Sequence, residues 1–245
     1  MNSTSNSISS FNEGLKAFLD ESVSPYHAVR EVSAALSDAG FVALDEKVEW
    51  NLEVGGKYFV VRGGGSIVAF TVGAKLQSEK GIRLLGAHTD SPVLAVKPQP
   101  EIEKEGLLQI GVEVYGGALL NPWFDRDLSI AGRITKTTKN GKIESIIIDA
   151  KEPLAFIPSL AIHLDREANK NRSVNAETDI VPIISADHHF RELDDFFSEN
   201  LKKGETLLNT DLFFYDINQA RLVGAKNEFL AAARLDNQLS CFCAI

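Results

Sequence analysis

Leu84-Leu85-Gly86-Ala87-His88-Thr89-Asp90-Ser91-Pro92 is the stretch on which the fold turns. A short apolar run ends at a Gly-Ala pair, and a histidine and an aspartate two positions apart follow at once. Residues 84–88 are therefore expected as a strand, mostly apolar in the manner of one buried on both faces. Ligands in open α/β sheets collect at such carboxyl ends of strands. In an extended backbone positions 88 and 90 point the same way, so the Asp90 carboxylate can hold the His88 imidazole in place, which suits a metal-bound histidine. A His-x-Asp pair taken alone is more often a hydrogen-bonded surface pair.

Upstream, Leu15, Phe18 and Leu19 fall at helical spacing within residues 11–20, with Ser10 as the expected N-cap and the Ser/Asn-rich residues before it as a polar tail. Pro25 opens a second helix whose apolar positions Ala28, Val29, Val32, Leu36 and Ala39 share one face, and Gly40 ends it. His27, in its first turn, reads as a packed or capping histidine. Residues 58–61 and 66–70 form a β pattern around Gly63-Gly64-Gly65, which predicts a hairpin. The triplet lacks the Gly-Lys-Ser/Thr and the helix of a phosphate loop.

Beyond Pro92 the pattern is mostly β. Strands are expected at 108–115, 129–138, 143–148, 180–184 and 206–217, with a helix near 190–201. Asn140-Gly141 signals a two-residue hairpin. This segment reads as a separate, mostly antiparallel domain inserted after the His88 strand. His188-His189 is expected in a solvated turn. After Asp236-Asn237 an apolar helical segment, 239–245, stops without a C-cap glycine or a polar tail. That pattern leads us to expect that the protein continues, because an apolar helical face needs a cover.

A chain of 245 residues with a 44% hydrophobic share can bury one large core or two ordinary ones. Its net charge of −9 argues against nucleic acid or an anionic membrane as a partner, since either needs a basic face. No apolar run is long enough to span a bilayer. Cys241 and Cys243 are too close for an ordinary disulfide and are expected as buried small side chains, so a cytoplasmic location fits best.

Hydrolysis by paired metal ions needs histidines and carboxylates, one carboxylate bridging the metals and another acting as base. His88 and Asp236 are the candidate metal ligands. Helix capping by Asp236 or Asn237 is an equal reading on spacing alone. Five stretches then agree in order: Gly86-Ala87-His88-Thr89-Asp90-Ser91-Pro92, Val114-Tyr115-Gly116-Gly117, Trp123-Phe124-Asp125-Arg126-Asp127-Leu128, Ile157-Pro158-Ser159-Leu160-Ala161-Ile162-His163-Leu164-Asp165-Arg166 and Leu235-Asp236-Asn237. Together they resemble the aspartyl aminopeptidase family of zinc metallopeptidases, which includes aminopeptidase I.

The resemblance implies an α/β fold: a zinc-peptidase-type domain, here 1–94 and 231–245 and incomplete, with an inserted β-rich dimerisation domain at 95–230. It implies removal of N-terminal residues from peptides, acidic ones being the inherited expectation, by a homo-oligomer holding two zinc ions per complete site. His88 becomes a ligand of one zinc and Asp236 the carboxylate bridging both, followed by a cis peptide. Asp90 orients His88, and His163 either packs within its own domain or reaches a neighbouring subunit's active site. In the family, paired glutamates, a further aspartate and a final histidine come from sequence beyond the matching region. Asp125, Asp127 and Asp165 lie in the inserted domain's motifs and do not replace them. This chain alone is therefore expected to bind metal weakly and to be inactive. The alternative is a non-catalytic assembly partner, docking through the inserted domain onto a full-length relative or a separately encoded second half.

Overall fold

The computed structural model describes residues 2–73, 81–187, 193–197 and 200–245. It begins with α1 (Asn2–Glu21), α2 (Pro25–Asp38), β1 (Val42–Leu44), β2 (Lys57–Arg62) and β3 (Ser66–Thr71). Then come β4 (Val93–Lys104), β5 (Leu107–Tyr115), β6 (Leu128–Thr137), β7 (Ile143–Asp149), β8 (Ile183–Ser185), α3 (Leu193–Phe197) and β9 (Thr206–Asp216). The last elements are β10 (Arg221–Val223), β11 (Phe229–Ala231) and α4 (Leu235–Ala244). They divide into two compact units, Met1–Ser91 with Gln219–Ile245, and Pro92–Asn218. Residues 219–230, read from sequence with the inserted segment, thus fall in the first unit.

In the first unit α1 buries Leu15, Phe18 and Leu19. It runs back to Asn2 rather than starting near Phe11. Residues 2–10 hold no glycine or proline, and extending an anchored helix fixes one residue per new hydrogen bond, so Ser10 lies inside the helix and does not cap it. Helix α2 has the expected signals: Ser24 at its N-cap, whose side chain accepts from the His27 amide, and Pro25 in its first turn. His27 is buried with Nδ1 2.7 Å from Ser24 Oγ, a packed histidine. Phe18, Val32, Leu36, Phe59 and Cys241 form the core of this unit. Strand β1 pairs parallel with β2, and β2 pairs antiparallel with β3 in a register that sets Arg62 opposite Ser66. The three glycines between are therefore the hairpin loop, with Gly63 and Gly64 at positive φ as such a tight reversal requires.

The strand expected at 84–88 is absent. These residues carry no ladder, and Ile82, Leu84 and Leu85 are 83%, 88% and 79% exposed. A strand exists only through its neighbour. The three-stranded sheet β1-β2-β3 offers this segment none among the described residues. Its apolar side chains, right for a doubly covered strand, stand in solvent.

The second unit is one antiparallel sheet of six strands in the order β7-β6-β9-β4-β5-β8. Leu128, Ile130 and Ile134 of β6, Leu212 and Phe214 of β9, and Leu94 and Ile110 are buried in its core. Pro98 and Pro100 sit where β4 loses register with β5, between Val96 and Glu101. The β6–β7 connection is a hairpin, but its loop is the three residues Lys139-Asn140-Gly141. Thr138 N donates to Lys142 O at 2.8 Å, and Gly141 takes the left-handed conformation that closes such loops. Of the helix expected at 190–201 the structure shows α3, shorter; His188 and His189 lie outside the described residues.

A side-chain pair in this unit had no sequence signal. Lys136 Nζ donates to Glu205 Oε2 at 2.7 Å with both side chains under a tenth exposed, and it holds the Glu205 carboxyl below the usual glutamate range. Gly132 marks a close approach of β6 to β9, where a Cβ would run into the backbone carbonyl of Asp211. Replacing Gly132 by Ala must therefore push the strands apart. The expected loss is at least about 2 kcal/mol, within the range for overpacking a core, and it should show as a lower urea midpoint. An unchanged midpoint would mean that the two strands adjust without cost.

Candidate metal centre

The site is assembled in the first unit from two turns of chain. Arg234 adopts the left-handed conformation, φ 61°, and its Nη2 donates to Leu19 O at 2.9 Å, which fixes the entry into α4. Asp236 and Asn237 then depart from helical geometry, and the peptide between them is cis, as the resemblance implies. Asp236 is not a helix cap here: its side chain projects, 68% exposed. The opposing turn, Gly86–Ser91, is pinned from two sides. Thr89 Oγ1 donates to Gly65 O in the β2–β3 loop at 2.6 Å. From α4, Gln238 Nε2 donates to Thr89 O at 2.5 Å, and Cys241 Sγ to His88 O at 3.2 Å. Burial, with the Asp90 charge as a smaller cause, pushes the Cys241 thiol up, so it stays a neutral donor; Cys243, expected buried, is exposed.

These anchors set three side chains together. His88 Nδ1 lies 3.1 Å from the Asp90 carbonyl oxygen and 3.4 Å from Asp90 Oδ1. A carbonyl can only accept, so Nδ1 is the donor here and Nε2 is the nitrogen left for a metal. Nε2 lies 3.4 Å from Asp236 Oδ1. Two donors about 2.0–2.1 Å from one tetrahedral zinc stand about 3.3 Å apart, so the observed spacing and the imidazole–carboxylate pair fit zinc. Among the described residues no group of three or more His, Cys, Asp or Glu could hold a metal ion. What the chain presents is a pair of donors with an orienting carboxylate.

His163 is not part of this group. It lies in the second unit on an exposed turn. That turn is fixed at its start by Ser159 N donating to Asp125 Oδ1 at 2.9 Å, a bond that holds the Asp125 carboxyl below the usual aspartate range. Past the turn, Asp165 Oδ2 lies 3.8 Å from Arg172 Nε, and the Arg172 guanidinium stands over the Phe124 ring at 4.1 Å. Asp125, Asp127 and Asp165 all belong to this unit. Sequence reading missed Thr89 and Gln238, although an amide at the start of an apolar helical segment was a signal that could have singled out Gln238.

Residues 18–245 match the family described as aminopeptidase I zinc metalloprotease, M18. The chain belongs to the M18 aminopeptidase family. It is 48% identical over 241 residues to a probable M18 family aminopeptidase 2 of Stutzerimonas stutzeri, and 49% over 238 residues to one of Pseudomonas syringae pv. syringae. The matches cover 96% and 94% of this chain but 56% and 55% of those relatives. This M18 chain thus spans a little over half the length of the relatives it matches. Among solved structures it resembles one from the Ape4 and Nbr1 complex, with TM-score 0.90 and 34% identity, covering 100% of this chain and 51% of the other. A second likeness is to Chaetomium thermophilum mApe1, with TM-score 0.82 and 32% identity, covering 94% and 56%. The mixed α/β architecture is that of the M18 aminopeptidases over about half their length. No helix among the described residues is long and apolar enough to cross a membrane.

Proposed function

We propose that this chain carries the first part of a zinc aminopeptidase that removes N-terminal residues from peptides in the cytoplasm, with His88 and Asp236 as zinc ligands. The observation that carries the reading is the approach of His88 Nε2 to Asp236 Oδ1 at 3.4 Å, the spacing of two ligands on one zinc. When bound there, zinc supplies Lewis-acid polarisation of a carbonyl and lowers the pKa of a bound water. The chain's own residues prepare for this. Asp90 orients the ring from the Nδ1 side, and Asp236 would be the carboxylate that serves both zinc ions. The second unit, Pro92–Asn218, is assigned to dimerisation, where the exposed apolar side chains Leu160, Ile162 and Leu164 flank His163. A related structure described as the S. cerevesiae mApe1 dodecamer, 26% identical, supports homo-oligomers.

The test is zinc content together with hydrolysis of aspartyl, glutamyl and leucyl substrates, by this chain and by a protein extended to the length of its relatives. The extended protein is expected to hold zinc and cleave, and this chain to bind zinc weakly and cleave nothing. An extended protein without zinc or cleavage would sink the reading. The second reading, an assembly partner without catalysis, draws on the same exposed apolar turn. It predicts that the chain co-elutes with a full-length relative, and free monomers of both would exclude it.

A further inference from the structure

We propose that Gln238 is a positioning residue, a latch that holds the His88–Asp90 turn against the helix following Asp236 and so sets the spacing of the two zinc donors. The proposal rests on the zinc reading above. Gln238 is 1% exposed, and its Nε2 donates to Thr89 O at 2.5 Å. Its Oε1 is buried without a hydrogen-bond partner among the described residues. A buried amide that satisfies only one end is a poor way to fill apolar space, because the unpaired end loses its water without replacement. What this side chain does that a methionine of similar size would not is grip one backbone carbonyl.

That carbonyl belongs to the residue next to His88, and Gln238 itself stands two residues beyond Asp236. The hydrogen bond therefore closes a short ring through both donors, and across the ring Nε2 and Oδ1 face each other at 3.4 Å. Cys241, less than one helical turn further on, holds the His88 carbonyl at 3.2 Å, but a thiol is a weak donor and makes a weaker second strut. On the far side Thr89 Oγ1 ties the turn to Gly65 and leaves its distance from α4 to Gln238. Groups that orient a ligand from behind change metal affinity by about 10–100-fold when removed.

The experiment titrates this chain with zinc and follows the His88 imidazole by NMR, while hydrogen exchange reports the amides of residues 86–91. Gln238→Met, which keeps volume and removes the donor, is expected to weaken zinc binding about tenfold and to speed exchange in the turn, with the unfolding midpoint little changed. Gln238→Glu keeps the length, has no donor when ionised, and should weaken binding as much; it carries the test if the methionine variant folds poorly. Equal zinc affinity in either folded variant and the parent overturns the latch while leaving the zinc reading standing. A parent His88 that does not respond to zinc at all overturns the zinc reading, and the latch with it.

Discussion

Asp236→Ala, made in a protein extended to the length of its relatives, is expected to lower kcat/KM by more than about 100-fold, beyond the range for losing an orienting group. Among the described residues Asp236 is the carboxylate that lies against His88 Nε2. Its removal leaves His88 Nε2 with no partner across the 3.4 Å gap and takes away the oxygen assigned to the second zinc. Because the side chain is 68% exposed, the substitution should move stability by no more than about 0.5 kcal/mol, so lost activity cannot be charged to unfolding. Asp90→Asn is the graded comparison. It keeps the backbone carbonyl that accepts from Nδ1 and loses only the carboxylate at 3.4 Å, so it should fall within about 10–100-fold. Zinc content and rates on both variants check the order. If Asp90→Asn is the more damaging, or Asp236→Ala retains activity within a few-fold, Asp236 is not a zinc ligand.

What could be read in advance divides by the range of the interaction. The Gly63-Gly64-Gly65 hairpin, the Ser24–Pro25 start of α2 and the long strands β6 and β9 were legible because turn chemistry, capping and alternation act over a few residues. The approach of Asp90 to His88 was legible because the two are only two residues apart, although a turn and not a strand brings them together. The partner of Gln238 was not, since Thr89 lies 149 residues away and an amide at the start of a helical segment does not name it. The Lys136–Glu205 pair, 69 residues apart, was hidden in the same way. Spacing left Asp236 level between cap and ligand; in the structure it caps no helix, and its side chain lies 3.4 Å from His88. The error at 84–88 is of another kind. The reading of composition there was sound, but a ladder needs a second strand, and no property of Leu84 or Leu85 alone can state whether one is at hand.

That segment carries the second large expectation. In a protein extended to relatives' length, the amides of Ile82–Leu85 should exchange at least about a thousandfold more slowly than in this chain. The argument starts from exposure: three large aliphatic side chains, each about four-fifths or more in solvent, sit within four residues. Burying each contributes about 1.5–3 kcal/mol, so together they favour a covered state by several kcal/mol. Every 1.4 kcal/mol of local opening free energy slows exchange about tenfold, and covered strands approach the global stability whereas uncovered segments stay near zero. The relatives provide over two-fifths of their length beyond what this chain matches, ample material for a neighbouring strand. Residues 86–91, already held by Thr89 and Gln238, should change less, which gives the measurement an internal reference. Leu84→Lys sharpens the test: near-neutral in this chain, where the side chain is 88% exposed, it should cost the extended protein about 3 kcal/mol or more, through a charge forced between strands. Equal exchange in the two proteins, or a lysine tolerated in both, would show that the run before His88 is a surface segment and not a strand.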